Sequence, residues 1–305
     1  MKTLIILAVI AGSGFYILRP EATPAPINNL VGIPEVKETA VEKTPEISVV
    51  IAPDKFIQGE PVLVTVTATT TVKSITLEGK MLKVFINKSK PSALIGIDLR
   101  KVPGRYPLVV TLSDGSVIKK DLVVGERAIV KEEFHIPEKL GGDTKESEQN
   151  LINTLVQEGA IINAIPTGPE KLWDGAFRFP VESITITDTY GYSRATGGSS
   201  ISHKGTDFRA AVGTSVYAMN SGRVAYTDYL RNYGHTIVVD HGLGVQTIYM
   251  HLSEVLVKNG DAVTKWQLIA KSGDTGYTFG AHLHLSVKID HISIDPMKFM
   301  EILGK

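Results

Sequence analysis

The segment 280–289 alternates strictly between polar and apolar side chains. In an extended strand, side chains two residues apart point to the same face, so His282, His284, Ser286 and Lys288 share one face, and the aliphatic residues between them share the other. The aliphatic face can pack into a core while both imidazoles project into an open groove. Two neighbouring histidines on the polar face of a strand indicate a binding or catalytic site.

The same period of two fills the region from Ile47 to about Val124, where for example Val62, Val64 and Val66 alternate with Leu63 and threonines. Turn residues recur through this region at Gly59, Gly79, Pro103-Gly104 and Asp114-Gly115. Short strands at this spacing predict a small β-sandwich of immunoglobulin type. Strand-like runs and glycine-bearing turns continue from about Phe177, which predicts a second, mostly antiparallel β domain. The predicted fold is therefore mainly all-β.

Residues 143–165 interrupt this pattern and predict a short connecting helix. Apolar residues recur along the segment at helical spacing, and Asp143 and Glu146 stand at the spacing of a capping box. We expect this helix, together with the loop through Trp173, to pack between the two β modules in a structural role.

The N-terminus carries the features of an export segment. Met1-Lys2 is followed by an uncharged, mostly apolar run that ends at Leu18, slightly shorter than the ~20 residues that span a bilayer comfortably. Prolines are frequent in the stretch 20–46, which predicts an extended tether. We therefore predict export to the periplasm or cell envelope, and the sequence leaves open whether the segment is a cleaved signal or a membrane anchor.

The composition limits which partners the chain can bind and which residues could hold a metal. Lysine plus arginine and aspartate plus glutamate each total 32, the formal net charge is +0, and no basic stripe stands out, so nucleic acid is not an expected partner. The chain contains no cysteine, which excludes disulfides, thiolate nucleophiles and thiolate metal sites. A bound metal would have to be held by His, Asp or Glu.

Histidine is concentrated in the C-terminal third. Of the eight histidines, only His135 precedes the segment His203-Lys-Gly-Thr-Asp207, and a further one, His251, stands in Tyr-Met-His-Leu-Ser. A catalytic zinc keeps about three protein ligands and one open position for water. With the histidine pair at 282 and 284, these segments supply enough groups both for a metal and for proton transfer. Spacing alone leaves open which histidine of the pair binds metal.

These three segments resemble the signature of the lysostaphin/LytM-type zinc metalloendopeptidases, a family of peptidoglycan hydrolases. The preceding module resembles the immunoglobulin-like domain that accompanies some members. The resemblance implies that His203, Asp207 and His284 bind zinc and that His251 and His282 are catalytic. It implies no cofactor besides zinc.

This sequence departs from the family pattern after the histidine pair, where members often have an aromatic residue and an acid but Leu285 and Ser286 stand here. No metal ligand is lost. The predicted organisation is a signal peptide or membrane anchor at 1–19, a flexible linker at 20–46, an immunoglobulin-like sandwich at 47–125, a helical connector at 126–176 and a zinc peptidase domain at 177–305.

The implied function is hydrolysis of peptide cross-links or stem peptides in bacterial peptidoglycan. One alternative is a non-catalytic cell-wall scaffold that activates a separate wall amidase; such relatives usually lack one or more metal ligands, whereas this sequence has all of them. Another is a wall-binding or adhesive protein with a structural zinc, which would normally be closed by four protein ligands.

Overall fold

The first module is built from the strands that the period of two predicts. The computed structural model describes residues 47–133, 135–196 and 199–304, so the predicted export segment at 1–19 and the linker at 20–46 lie outside the described residues. The strands of this module are β1 (Ser48–Ala52), β2 (Phe56–Ile57), β3 (Pro61–Thr67), β4 (Val72–Leu77), β5 (Lys80–Met81), β6 (Val84–Asn87), β7 (Lys90–Gly96), β8 (Gly104–Leu112) and β9 (Val117–Gly125).

These strands pair in a sheet of order β1-β3-β7-β6 and a sheet of order β2-β9-β8-β4-β5. Val62, Val64 and Val66 of β3 are completely buried, and they share one apolar core with Leu108 and Val110 of β8 in the other sheet. The predicted alternation is confirmed in β3. That this pair of sheets is immunoglobulin-like stays a prediction.

The connector contains β10 (Lys131–Glu133), a 3-10 turn (Glu138–Leu140) and helix α1 (Lys145–Ala164). The predicted helix covers residues 143–165, whereas α1 begins at Lys145, because Thr144 caps it with a side chain that accepts the hydrogen bond from Ser147 N at 3.1 Å. Asp143 is engaged elsewhere: its Oδ1 accepts from Ile136 N at 2.5 Å, and its Oδ2 pairs with His135 at 2.9 Å. The prediction that Asp143 caps the helix is wrong.

The helix and the loop that follows it pack in different places. Ile162 of α1 lies in one apolar cluster with Val238 and Ile248 of the second module. Trp173 in the loop contacts Phe85 of β6, with ring centroids 5.2 Å apart, and Phe177, with centroids 6.2 Å apart. The prediction of packing between the modules is therefore confirmed for the loop, whereas the helix lies on the second module.

The second module contains a large antiparallel sheet, two strands of a small separate sheet and a C-terminal helix. Its strands are β11 (Ile186–Asp188), β12 (Ser193–Thr196), β13 (Ser199–Ser202), β14 (Thr206–Arg209), β15 (Ser215–Tyr217), β16 (Gly222–Leu230), β17 (Gly234–Gly242), β18 (Val245–Val255), β19 (Ala262–Val263), β20 (Leu268–Ser272), β21 (His282–Ile289) and β22 (Ile292–Ile294), followed by α2 (Pro296–Leu303).

The main path of this sheet runs β11-β14-β21-β18-β17-β16-β19. The hairpin β12–β13 joins β10 of the connector in a small separate sheet. The prediction of a mainly β fold with antiparallel sheets and few helices is confirmed. Among the residues that the structure describes, no helix has the length and apolar character needed to cross a membrane.

Strand β21 lies between β14 and β18 and contains the alternating polar and aliphatic residues of the segment 280–289. Leu283, Leu285 and Val287 are completely buried in the core of the module. Because side chains alternate along a strand, His282 and His284 lie on the opposite face of the same strand. Both imidazoles therefore project from one face of β21, which has β14 on one side and β18 on the other.

Candidate metal centre and active site

Three adjacent strands bring the predicted site residues together. Asp207 of β14 is the direct cross-strand partner of His284 in β21, and Met250 of β18 is paired with His284 from the other side. His251 follows Met250 in β18, and His203 precedes β14 in the segment after β13. The sheet register therefore gathers residues that are far apart in the sequence.

One nitrogen or oxygen atom from each of His203, Asp207 and His284 lies close enough to the others to hold a single cation. His203 Nε2 lies 3.1 Å from His284 Nδ1 and 3.2 Å from Asp207 Oδ1, and the latter two atoms are 2.7 Å apart. Ligand atoms bonded at 2.0–2.1 Å around a tetrahedral zinc stand about 3.3 Å apart. The size and the neutral-nitrogen and carboxylate chemistry of this set fit a zinc ion with an open fourth position.

The remaining ring nitrogens of the two histidines have partners that fix the ring orientations. His203 Nδ1 donates to the carbonyl oxygen of Thr189 at 2.8 Å. His284 Nε2 lies 2.9 Å from the Ser286 hydroxyl, which donates to Lys204 O at 2.8 Å. Such partners on the far side of a metal-binding histidine orient the ring and select its tautomer. Ser286, where the resembled family often has an acid, thus supports a candidate ligand.

Gly205 explains why the first motif has a glycine between its histidine and aspartate. A Cβ atom at this position would lie 2.3 Å from His284 Nε2 and 2.5 Å from Leu285 O. Real Cβ atoms essentially never come that close to other heavy atoms. The missing side chain lets the motif lie directly against β21, and this contact brings His203 and Asp207 to His284.

His251 and His282 lie beside this set, with their ring centroids 4.8 Å apart. His251 Nδ1 donates to Thr275 O at 2.8 Å, and His282 Nδ1 donates to Gly280 O at 2.9 Å. In a neutral imidazole, donation from Nδ1 leaves Nε2 as the unprotonated nitrogen. His282 Nε2 lies 3.6 Å from Asp207, but from Oδ2 rather than from the oxygen that faces the other two candidate ligands.

The electrostatics of the site favour an ionised carboxylate and a neutral His251. Burial acts to raise the pKa of Asp207, but the charge of His284 and hydrogen bonds from His203 and His284 outweigh it and lower this pKa. Burial, reinforced by charge on His282 and His284, lowers the pKa of His251 well below its ordinary value. At neutral pH the site thus contains a carboxylate anion at Asp207 and a neutral imidazole at His251.

The other histidines of this module lie outside the candidate metal cluster. His241 is completely buried, with Nδ1 2.8 Å from Ser221 O and Nε2 2.8 Å from the Thr247 hydroxyl. The ring of His235 packs against Tyr229 with centroids 5.0 Å apart.

The carbonyl groups of Thr189 and Thr275 could not be predicted from the sequence, because every residue has a backbone carbonyl and the residue type does not show which one accepts. Ser286 did leave a signal, since it shares the polar face of β21.

Comparison with known proteins places this site in a family. Residues 201–296, which include all five candidate site residues, match the model of peptidase family M23. The peptidoglycan DD-endopeptidase ShyB of Vibrio cholerae is 34% identical over 148 residues, which cover 47% of this chain and 34% of ShyB. Lysostaphin of Staphylococcus staphylolyticus is 37% identical over 110 residues, which cover 33% of this chain and 22% of lysostaphin.

A solved structure from Pseudomonas aeruginosa, assigned to peptidase M23, resembles this chain with a TM-score of 0.60 at 23% identity. The alignment covers 81% of this chain and 96% of the other, and the likeness concerns the fold. The chain spans about a third of the length of ShyB and less of lysostaphin. The family model, together with ShyB and lysostaphin, confirms the resemblance: over residues 201–296, the chain carries a peptidase family M23 domain.

Proposed function

We propose that this chain is a zinc-dependent endopeptidase that hydrolyses peptide cross-links or stem peptides of bacterial peptidoglycan. The observation that carries the proposal is the convergence of His203, Asp207 and His284 within 3.2 Å of one another, beside two further imidazoles. The peptidase family M23 domain at residues 201–296 and the similarity to ShyB, a peptidoglycan DD-endopeptidase, support the reaction and the substrate class.

In this proposal His203 Nε2, Asp207 Oδ1 and His284 Nδ1 hold the zinc. The bound ion supplies a Lewis acid and an activated water at neutral pH. His251 keeps Nε2 unprotonated because its Nδ1 donates to Thr275 O, so it accepts a proton during the attack on the peptide carbonyl. His282 likewise keeps Nε2 unprotonated because its Nδ1 donates to Gly280 O, so it shares with His251 the uptake of the proton and its transfer to the leaving amine; once protonated, its Nε2–H can also stabilise the developing oxyanion.

Each supporting group has a defined task. Thr189 and Ser286 orient the two zinc-binding imidazoles through the bonds to their second nitrogens. The low pKa of Asp207 keeps this ligand anionic across the neutral range. Two imidazoles and one carboxylate leave the zinc with residual positive charge, which preserves its Lewis acidity.

Export to the periplasm or cell envelope belongs to the same proposal, with the N-terminal segment acting as a signal or as a membrane anchor. The scaffold alternative loses support because every ligand and both further imidazoles are present. Binding of a structural zinc loses support because the cluster offers three protein ligands, whereas a structural site is normally closed by four.

The test is digestion of purified peptidoglycan by the zinc-loaded protein, with mass analysis of the soluble products. We expect peptide fragments with intact glycan strands, loss of the reaction with a chelator, and recovery on adding zinc. Release of free sugars would contradict the proposal. So would absence of wall cleavage by a protein that readily digests an ordinary unfolded protein.

A further inference from the structure

Helix α1 contains a buried carboxylate that is bound by a main-chain amide. Glu158 is 6% exposed, and both of its carboxylate oxygens lie 3.1 Å from Asn232 N, which donates to them. One helical turn earlier, Thr154 Oγ1 accepts a hydrogen bond from Asn232 Nδ2 at 2.8 Å. The helix therefore holds both the main chain and the side chain of Asn232, and burying a carboxylate is costly unless such bonds compensate it.

Asn232 lies in the short turn between β16 and β17, and this turn contacts the active site. The Asn232 carbonyl accepts from Tyr277 N at 2.7 Å, and the neighbouring Tyr233 carbonyl accepts from His251 N at 2.9 Å. A Cβ atom on Gly276 would lie 2.5 Å from Asn232 O, so the two backbones touch directly. The turn thus supports the main chain of His251 and the loop that precedes His282.

His251 needs such support because its backbone is strained. Its φ is 60°, in the left-handed region, which a residue other than glycine adopts only where its surroundings enforce it. Its main-chain N–H is held by Tyr233, and its imidazole is held by Thr275, the residue beside Gly276. Tyr233 and Thr275, the two residues that accept these hydrogen bonds, belong to the segments that pack against Asn232.

We propose that Glu158 is a positioning residue for His251, acting through Asn232 and the β16–β17 turn. The inference rests on the proposed role of His251 in proton transfer. Glu158 lies outside residues 201–296, so the connector helix completes the geometry of the M23 domain. Because Glu158 acts as a hydrogen-bond acceptor for a backbone amide, its acceptor oxygen matters rather than its charge.

Three variants separate positioning from general stability. Glu158→Leu removes the acceptor, whereas Glu158→Gln keeps one acceptor oxygen of similar reach. Ile162→Ala is the matched control, because Ile162 is 2% exposed on the same helix and packs on the sheet without a bond to the turn. Thr154→Val leaves Glu158 in place and removes the bond to the Asn232 side chain, together with the hydroxyl's own bonds to Asn150 O and Leu151 O within the helix; it serves if Glu158→Leu fails to fold.

In peptide-bond hydrolysis we expect Glu158→Leu to lower kcat about 10- to 100-fold with little change in KM, since small misplacement of a catalytic group has effects of this size. Glu158→Gln should restore most of kcat, and Thr154→Val should show a smaller loss. Ile162→Ala should lose stability yet keep its kcat. All variants should bind zinc, because none touches His203, Asp207 or His284.

Amide hydrogen exchange provides a readout that does not depend on activity. The His251 and Tyr277 amides should exchange faster in Glu158→Leu than in Ile162→Ala at equal overall stability. Equal exchange in the two variants, or equal kcat, would overturn the positioning role. If the wild-type protein cleaves no peptidoglycan, the proposed function fails, while the exchange comparison still decides whether Glu158 holds His251 in place.

Discussion

Asp207 Oδ1 lies 2.7 Å from Nδ1 of His284, although 77 positions separate the two residues in the sequence. They are direct partners in the pairing of β14 with β21. The candidate metal centre is therefore a product of sheet register, with His203 added from the segment before β14.

The first prediction concerns metal binding. His203→Ala, Asp207→Ala and His284→Ala should each lose most of the bound zinc, because each removes one of only three protein ligands. The measurement is metal content and zinc affinity of the purified variants. His235→Ala is the control, since His235 packs beside Tyr229 outside the cluster. Full zinc content with normal affinity in all three variants would show the ligand assignment to be wrong.

The second prediction separates ligands from proton carriers. His251→Ala and His282→Ala should largely keep their zinc and lose activity by roughly 10²–10⁴-fold, the usual effect of removing a general acid or base. Metal content and turnover are measured on the same preparations. Loss of zinc from His282→Ala but not from His284→Ala would mean that the roles of the pair are reversed.

The third prediction tests the contact at Gly205. Gly205→Ala should weaken zinc binding about 10- to 100-fold, as changes beside a metal ligand commonly do, because the new Cβ would displace the ring of His284. Gly159→Ala is the matched control: its Cβ meets nothing nearer than 3.8 Å, and within a helix the change should stabilise the fold by about 0.5–1 kcal/mol. Equal zinc affinity in the two variants would refute the steric argument.

The fourth prediction concerns pH. Burial lowers the pKa of His241 from 6.5 to about 4 in the folded protein. Between these values the unfolded chain binds more protons at this residue, so its contribution to stability falls as the pH falls from about 6.5 to about 4. His241→Gln should lack this contribution, and the unfolding free energies of variant and wild type should converge as the pH is lowered through that window.

The measurement for His241 is chemical unfolding at several pH values in a chelator, which removes the separate effect of protons on metal binding. A constant difference between the two proteins from pH 6.5 to pH 4 would count against the buried, neutral state of this histidine.

Much of this architecture could be predicted from the sequence because alternation along a strand is a local property. The polar and aliphatic faces of β21 follow from residue order alone, and so does the buried row of Val62, Val64 and Val66 in β3. The five candidate site residues could be named because side chains suited to metal binding stand in motifs that resemble a known family. The roles of these five residues stay a prediction.

The rest depends on contacts that residue order does not encode. Thr275 orients His251 with a carbonyl group, which every residue possesses. The predicted cap of α1, Asp143, lies one residue before the observed cap, Thr144, because the Asp143 carboxylate accepts a hydrogen bond from Ile136 N instead. The place of α1 on the second module likewise depends on tertiary packing, which overrides the local pattern.

Because residues alternate strictly along β21, zinc binding should depend on the correct register between β21 and β14. A slip of one residue against β14 would turn His282 and His284 toward the core and place Leu283 and Leu285 on the face that carries the candidate site. His203 and Asp207 would then lack their third partner, His284, and the imidazole of His282 would leave the site at the same time. A chain with this slip should therefore bind zinc weakly and lack activity, so the residue order of a single strand ties correct folding to the proposed chemistry.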